Sequence, residues 1–172
     1  MQKNDDYETE RLLLRATSLE DAEFIFELLN TPKWFQFIGD RNITSIKSAE
    51  DYINMHIVPI FSKNGFGNFT VIRKSDGRKI GSCGLYDREG VEGIDLGFAF
   101  LPAYEKQGYA LESASKVKTL AVSDFNLSQI SAITNPDNLG SQKLLNKLDF
   151  QFVKRISLPA AAEEILLYKW EL

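Results

Sequence analysis

The sequence is poor in the residues on which many enzyme mechanisms depend. It holds one cysteine, Cys83, and one histidine, His56. A single thiol cannot close an intramolecular disulfide, in keeping with a reducing compartment. One Cys and one His at no useful spacing leave a zinc-type site without donors, so no metal is expected. His56 lies in a helical pattern with no acid or nucleophile pattern around it, which removes the basis for a Ser-His-Asp relay. Cys83, within Gly-Ser-Cys-Gly, reads as a small core residue rather than a nucleophile. Basic residues are also scarce: 20 Lys and Arg against 24 Asp and Glu give a net charge of −4. No basic cluster is present to neutralise a phosphate backbone, so a nucleic-acid partner is excluded, while a cationic amine is mildly favoured. No stretch approaches the roughly 20 apolar residues of a membrane span, and the leader MQKNDDYETE has no signal-peptide core. A cytoplasmic protein with no membrane partner is the expectation. Repeats, low-complexity segments and linkers are absent.

What is present fits one domain, residues 1–172, with 44% hydrophobic and 26% charged residues. The spacing predicts a strand over Arg11 to Arg15, at a sheet edge. A helix follows, capped by Ser18 with Asp21, burying Ala22, Ile25, Phe26 and Leu29 up to Pro32. Trp34 to Ile46 is aromatic without a clear period. Ser48 with Asp51 opens a second helix carrying Tyr52, Ile53, Ile57 and Ile60 inward until Gly65. From Phe66 the period becomes two, predicting a hairpin through Ser75-Asp76-Gly77 and a meander that continues, past Arg88 to Gly93, into Ile94–Phe100. Further strands are predicted over Gln129 to Thr134, Phe150 to Ser157 and Ile165 to Trp170. A short helix is expected over Gly140 to Leu148, and Pro159 with three alanines joins the last two strands.

The chemistry centres on Asp95 to Phe125. Ile94, Leu96, Phe98 and Phe100 alternate, and Gly97 and Ala99 leave the other face bare enough for a ligand to lie along it. Pro102 stops the strand, Lys106-Gln107-Gly108 turns, and from Tyr109 a helix begins with Ala110, Ala114, Val117 and Ala121 as its apolar stripe. Strand, glycine turn and helix aim unpaired N–H groups and a positive dipole end of about half a charge into one concavity. Such a concavity suits an anion, phosphate above all. By itself Gly108 reads as a loop glycine before a helix, since neither the Rossmann nor the Walker pattern surrounds it.

Two blocks of residues resemble the GCN5-related N-acetyltransferases, in the branch that acetylates ribosomal-protein N-termini and related amines. The first is Asp95-Leu96-Gly97-Phe98, Pro102, Tyr104 and Gly108-Tyr109-Ala110-Leu111-Glu112. The second is Asn138, Ser141, Leu144 and Lys147-Leu148-Asp149-Phe150, at the family's usual separation. The likeness extends from about Thr9 to the C-terminus. It implies a mixed α/β fold with a central, mostly antiparallel twisted sheet of about seven strands flanked by about four helices. It also implies acetyl-CoA as co-substrate, and direct acetyl transfer to a primary amine, a protein N-terminal α-amine foremost. A small amine (polyamine, amino acid or aminoglycoside) is the alternative acceptor, and a catalytically silent acyl-CoA-binding module the alternative outside enzymes. The sequence is compatible with a homodimer.

The resemblance implies, further, that the central strand parts from the strand at Gln129 and that the pantetheine arm fills the gap. There it bonds to backbone at Phe98, Ala99 and Phe100, with the pyrophosphate on the amides of Lys106, Gln107, Gly108, Tyr109 and Ala110. Trp34, Phe35 and Phe37 belong to the segment that lines the acceptor pocket. Asp95 stands where the family more often has Glu, as a general base acting through water or as a salt-bridged strand carboxylate. Ser141 is either the proton donor to the leaving thiolate or a first-turn helix residue, and Asn138 bonds the pantetheine amide, caps the helix, or does both. Glu105 departs from the superfamily's Arg or Gln before the glycine and sets a carboxylate near the pyrophosphate. Glu112 reads as a surface partner of Lys116. Tyr104 and Tyr109, the remaining candidate acids, read as packing residues.

Overall fold

The computed structural model describes residues 6–159 and 161–172; the start of the polar leader and Ala160, between the last two strands, lie outside them. The strands are β1 (Tyr7–Glu8), β2 (Leu12–Ala16), β3 (Asn68–Arg73), β4 (Arg78–Asp87), β5 (Ile94–Phe100), β6 (Gln129–Thr134), β7 (Gln151–Ile156) and β8 (Ile165–Glu171). They form one sheet in the order β1-β2-β3-β4-β5-β6-β8-β7. Every neighbouring pair is antiparallel except β5 with β6. The helices are α1 (Ala22–Leu29), α2 (Pro32–Phe37), α3 (Ile46–Tyr52), α4 (Val58–Asn64), α5 (Tyr109–Ser123) and α6 (Leu139–Lys147).

Alternation along the strands divides the sheet into two unlike faces. On one, Leu12, Leu14, Phe69, Val71, Cys83, Leu85, Leu96 and Phe100 form a core with Ala114, Val117 and Ala121 of α5 and Leu145 of α6. Phe69 and Phe150 are fully buried there, each worth roughly 2–3 kcal/mol of apolar transfer. The opposite face carries Thr17, Asn68, Thr70, Ser82 and Asp95, all buried. A second core of Phe24, Ile25, Leu28, Ala49 and Ile53, with Ala99 packed against it, belongs to the helices on that side. The polar groups beneath them are joined in a chain. Tyr86 Oη and Ser82 Oγ donate to Asn68 Oδ1, Asn68 Nδ2 donates to Thr17 Oγ1, Thr17 and Thr70 share a 2.8 Å hydroxyl pair, and Thr70 donates to Asp21.

Several expectations from the sequence need correction. The strand from Leu12 is not at the edge, because Tyr7 and Glu8 pair outside it. The aromatic stretch after Pro32 contains a helix, α2, capped by Thr31 with Pro32 in its first turn; six residues are too few to display a period. The next helix opens at Ser45, three residues before the expected cap. Ser48, expected as the cap with Asp51, is instead the return partner in that capping box. A π-helical turn, Ile53–Ile57, separates α3 from α4 just before Pro59, which cannot donate to a regular ladder. Finally, the face of β5 left bare by Gly97 is covered: a Cβ there would meet Tyr86 Cε2 at 2.8 Å. The tyrosine ring takes the space in which a ligand was expected to lie.

Candidate functional site

A single parallel pair, Asp95 opposite Ser131, is the whole ladder between β5 and β6. Beyond it the two strands separate, although β5 stays paired to β4 along its full length, Asp87–Gly81 against Ile94–Phe100. Phe98, Ala99 and Phe100 therefore line a gap on their β6 side. Phe98 is half-buried and packs on the core of α5, Ala99 packs on the core of the opposite face, and Phe100 is buried with its ring over Gly81. The parting leaves backbone groups of a central strand without a neighbour, which a folded chain tolerates only where something else can bond to them.

The chain then passes through a 3-10 turn at Pro102–Tyr104 into the turn ahead of α5. Lys106 and Gly108 both hold positive φ, 58° and 84°, and Gly108 is the N-cap of α5. Lys106, Gln107 and Gly108 are exposed, Ala110 is half-buried and Tyr109 is buried. Among the described residues, no group accepts from the N–H of any residue from Lys106 to Ala110. Five donors thus cluster at the positive end of a fifteen-residue helix.

Residues far away in sequence fix this turn. Arg11 Nη1 donates to the Gln107 carbonyl at 2.9 Å, its Nε donates to Glu112 at 2.7 Å, and its guanidinium lies 4.5 Å from the centre of the Tyr109 ring. Glu112 also accepts from the Thr9 hydroxyl at 2.6 Å and the Arg11 amide at 2.9 Å. Burial raises its pKa, but these bonds outweigh that effect and hold it below the ordinary value. The expected Glu112–Lys116 pair does not form; Lys116 instead lies over the Tyr7 ring. The Leu12 backbone beside Thr9 brings these partners to α5, and no local spacing could have revealed it. Glu105 is likewise neutralised by a distant residue, Lys33 of α2, through a direct ion pair.

Asp95 faces the helices α1 to α4 and is 1% exposed. Its two oxygens receive Arg88 Nε at 3.3 and 3.4 Å. Burial lifts its pKa above the ordinary aspartate value, and Arg88 offsets this only in part. Burial thus raises the proton affinity of a carboxylate that lies next to the point where the strands part. The salt-bridged reading of Asp95 holds, in its pair with Arg88. Tyr86, whose ring covers Gly97, is pushed up by burial and stays protonated.

On the other side of the gap, β6 leads through Asn135-Pro136-Asp137 into α6. Asn138 caps α6, its Oδ1 accepting from the Ser141 amide at 3.1 Å. Ser141 is half-buried, and no described group bonds its hydroxyl. Asp95 thus stands on β5 at the bridge where the strands part, and Ser141 at the start of α6, which follows β6. Trp34, Phe35 and Phe37 all lie on α2. Trp34 packs on the core of that side with its indole Nε1 buried and without a partner among the described residues, Phe35 is 44% exposed, and Phe37 is half-buried. Cys83 is fully buried, and burial pushes its thiol up to about 12. His56 sits in the π-helical turn against the Tyr52 ring. Among the described residues no group of three or more His, Cys, Asp or Glu could hold a metal ion, and no helix is long and apolar enough to cross a membrane.

The chain is similar to known proteins. The family model described as "Acetyltransferase (GNAT) domain" matches residues 11–151. The uncharacterized N-acetyltransferase p20 of Bacillus licheniformis is 32% identical over 146 residues, 83% of this chain and 80% of the relative. The uncharacterized N-acetyltransferase YoaA of Bacillus subtilis is 30% identical over 145 residues, covering 84% and 81%. Among solved structures, the ribosomal-protein-S5-alanine acetyltransferase from Vibrio fischeri superposes with a TM-score of 0.81 at 18% identity, covering 97% of this chain and 96% of the other.

Proposed function

The chain belongs to the GNAT acetyltransferase family, and on that premise we propose that its 172 residues act as one domain acetylating protein N-terminal α-amines. That it is an acetyl-CoA-dependent N-acetyltransferase follows from the family itself. The single observation that carries the assignment of its site is the lone Asp95–Ser131 bridge, which opens a gap beside five unpaired amide donors.

Acetyl-CoA supplies the activated acetyl group, with its pyrophosphate on the amides of Lys106 to Ala110 and its pantetheine arm along Phe98 to Phe100. Backbone donors bind phosphate whatever their side chains are, so Glu105, tied to Lys33, does not oppose binding. Asp95 takes the proton released by the attacking amine, directly or through water. An N–C bond forms as the C–S bond breaks, and the Ser141 hydroxyl delivers a proton to the departing sulfur. No covalent intermediate on the enzyme is needed, and placing the amine against the carbonyl provides much of the acceleration.

For the acceptor, the helices over the Asp95 face supply the argument. Phe35 of α2 and Ile38 just after it, Ile46 and Met55 in and after α3, and Val58 of α4 are 37–64% exposed. Such an apolar rim suits an extended peptide better than a small polar amine, and the structural likeness to a ribosomal-protein-alanine acetyltransferase agrees. Incubating a cell lysate with labelled acetyl-CoA and reading the products by mass spectrometry tests this. Label on protein N-terminal peptides supports it. Label confined to small metabolites transfers the assignment to a small-amine acetyltransferase, and thioester loss at the spontaneous rate with every amine leaves only a binding module.

A further inference from the structure

Thr134 closes β6 at the gap, and nothing in the fold accounts for its hydroxyl. The residue is 6% exposed, and its Oγ1 is buried without a hydrogen-bond partner among the described residues. A threonine so buried ordinarily finds a carbonyl or hydroxyl, because an unpaired hydroxyl costs free energy that valine, of the same shape, would avoid. Its location explains the exception. Counting from the Asp95–Ser131 bridge along two parallel strands, Thr134 stands level with Phe98 across the gap. Its side chain shares the face of Ile130 and Ala132, the face on which Phe98 also packs. On its other flank the Thr134 backbone is occupied, paired with Leu166 of β8. Four residues later comes Asn138, whose side-chain oxygen is already committed to Ser141 as a helix cap.

We infer that Thr134 is a positioning residue for the pantetheine arm, its Oγ1 donating to an amide carbonyl of that arm between β5 and β6. This rests on the acetyl-CoA site proposed above and adds to it a side-chain contact from the β6 wall. The backbone of Phe98 to Phe100 holds one edge of the arm; Thr134 holds the other. The hydroxyl is left unpaired in the free protein so that the arm's amide satisfies it, which makes the bound register of the thioester specific rather than merely apolar.

The test compares the wild type with Thr134→Val and Thr134→Ser, by calorimetric titration with acetyl-CoA, pantetheine and adenosine 3′,5′-bisphosphate, and by thermal unfolding without ligand. Thr134→Val is expected to weaken acetyl-CoA and pantetheine about five- to tenfold, to leave the bisphosphate unchanged, and to unfold at the wild-type temperature or above it. Thr134→Ser should restore most of the affinity. If the wild type binds acetyl-CoA and Thr134→Val binds it equally tightly, the inference fails while the site stands. If Thr134→Val melts several degrees lower with affinity unchanged, the hydroxyl is structural and the inference fails again. A wild type that binds neither acetyl-CoA nor pantetheine overturns the site itself, and the inference with it.

Discussion

Asp95→Asn separates proton transfer from folding. The carboxylate is 1% exposed, its only ionic partner among the described residues is one Arg88 nitrogen at 3.3–3.4 Å, and burial holds its pKa above 3.8. A folded-state pKa raised above the unfolded one means that the fold prefers the protonated acid. The stability this group contributes is present below the unfolded value and is lost as the pH rises through the folded value. At pH 7 the buried charge is therefore a cost. Asparagine, of nearly the same volume, removes that cost. It also leaves Arg88 behind, but that side chain is one-third exposed and reaches water, so the 3–5 kcal/mol penalty of a stranded buried ion does not arise. The variant should unfold in urea at pH 7 with unchanged or higher stability, by up to about 1 kcal/mol. Loss of a general base should lower kcat/KM by about 10²–10⁴-fold, measured as thiol release with the acceptor peptide, and should abolish the acid limb of its pH profile. Activity within twofold of wild type would refute the catalytic role. So would a loss of activity that tracks a loss of folded protein.

Three further outcomes follow from the geometry. Gly108→Ala forces an L residue to φ 84° with its Cβ 3.1 Å from Arg11 Nη2; the cost should be about 1–2 kcal/mol in thermal unfolding, with acetyl-CoA affinity falling as the amide cradle shifts. Asp21 is fully buried between Arg15 and Lys79 and accepts from Ser18 N and Thr70; burial raises its pKa, but Lys79, Ser18 and Arg15 outweigh that and hold it low. Its stabilisation is complete above 3.8 and is lost as the pH falls through the lower folded value, so Asp21→Asn should lose roughly 2–4 kcal/mol in urea unfolding at pH 7 and little in acid. Cys83, pushed up to about 12, should resist a thiol reagent in the native protein and react at once in denaturant.

The sequence by itself determined the parts that local chemistry writes. Period two gave β3 to β5, a cap and an apolar stripe gave α1 and α5, and Gly108 ahead of Tyr109 marked the helix mouth. These depend on neighbours within a few residues, so the order of side chains is enough to read them. Tertiary structure decided what rests on distant partners. Arg11 and Thr9 claim Glu112 from 101 and 103 residues away, Lys33 neutralises Glu105, and Tyr86 covers the glycine face that had read as open. The gap itself is a matter of register. β5 and β6 agree for one residue pair and then diverge, and neither strand's pattern encodes that, because an unpaired edge has the same alternation as a paired one. Thr134 likewise read as one more β-branched strand residue until the divergence placed its hydroxyl, without a partner, beside that gap.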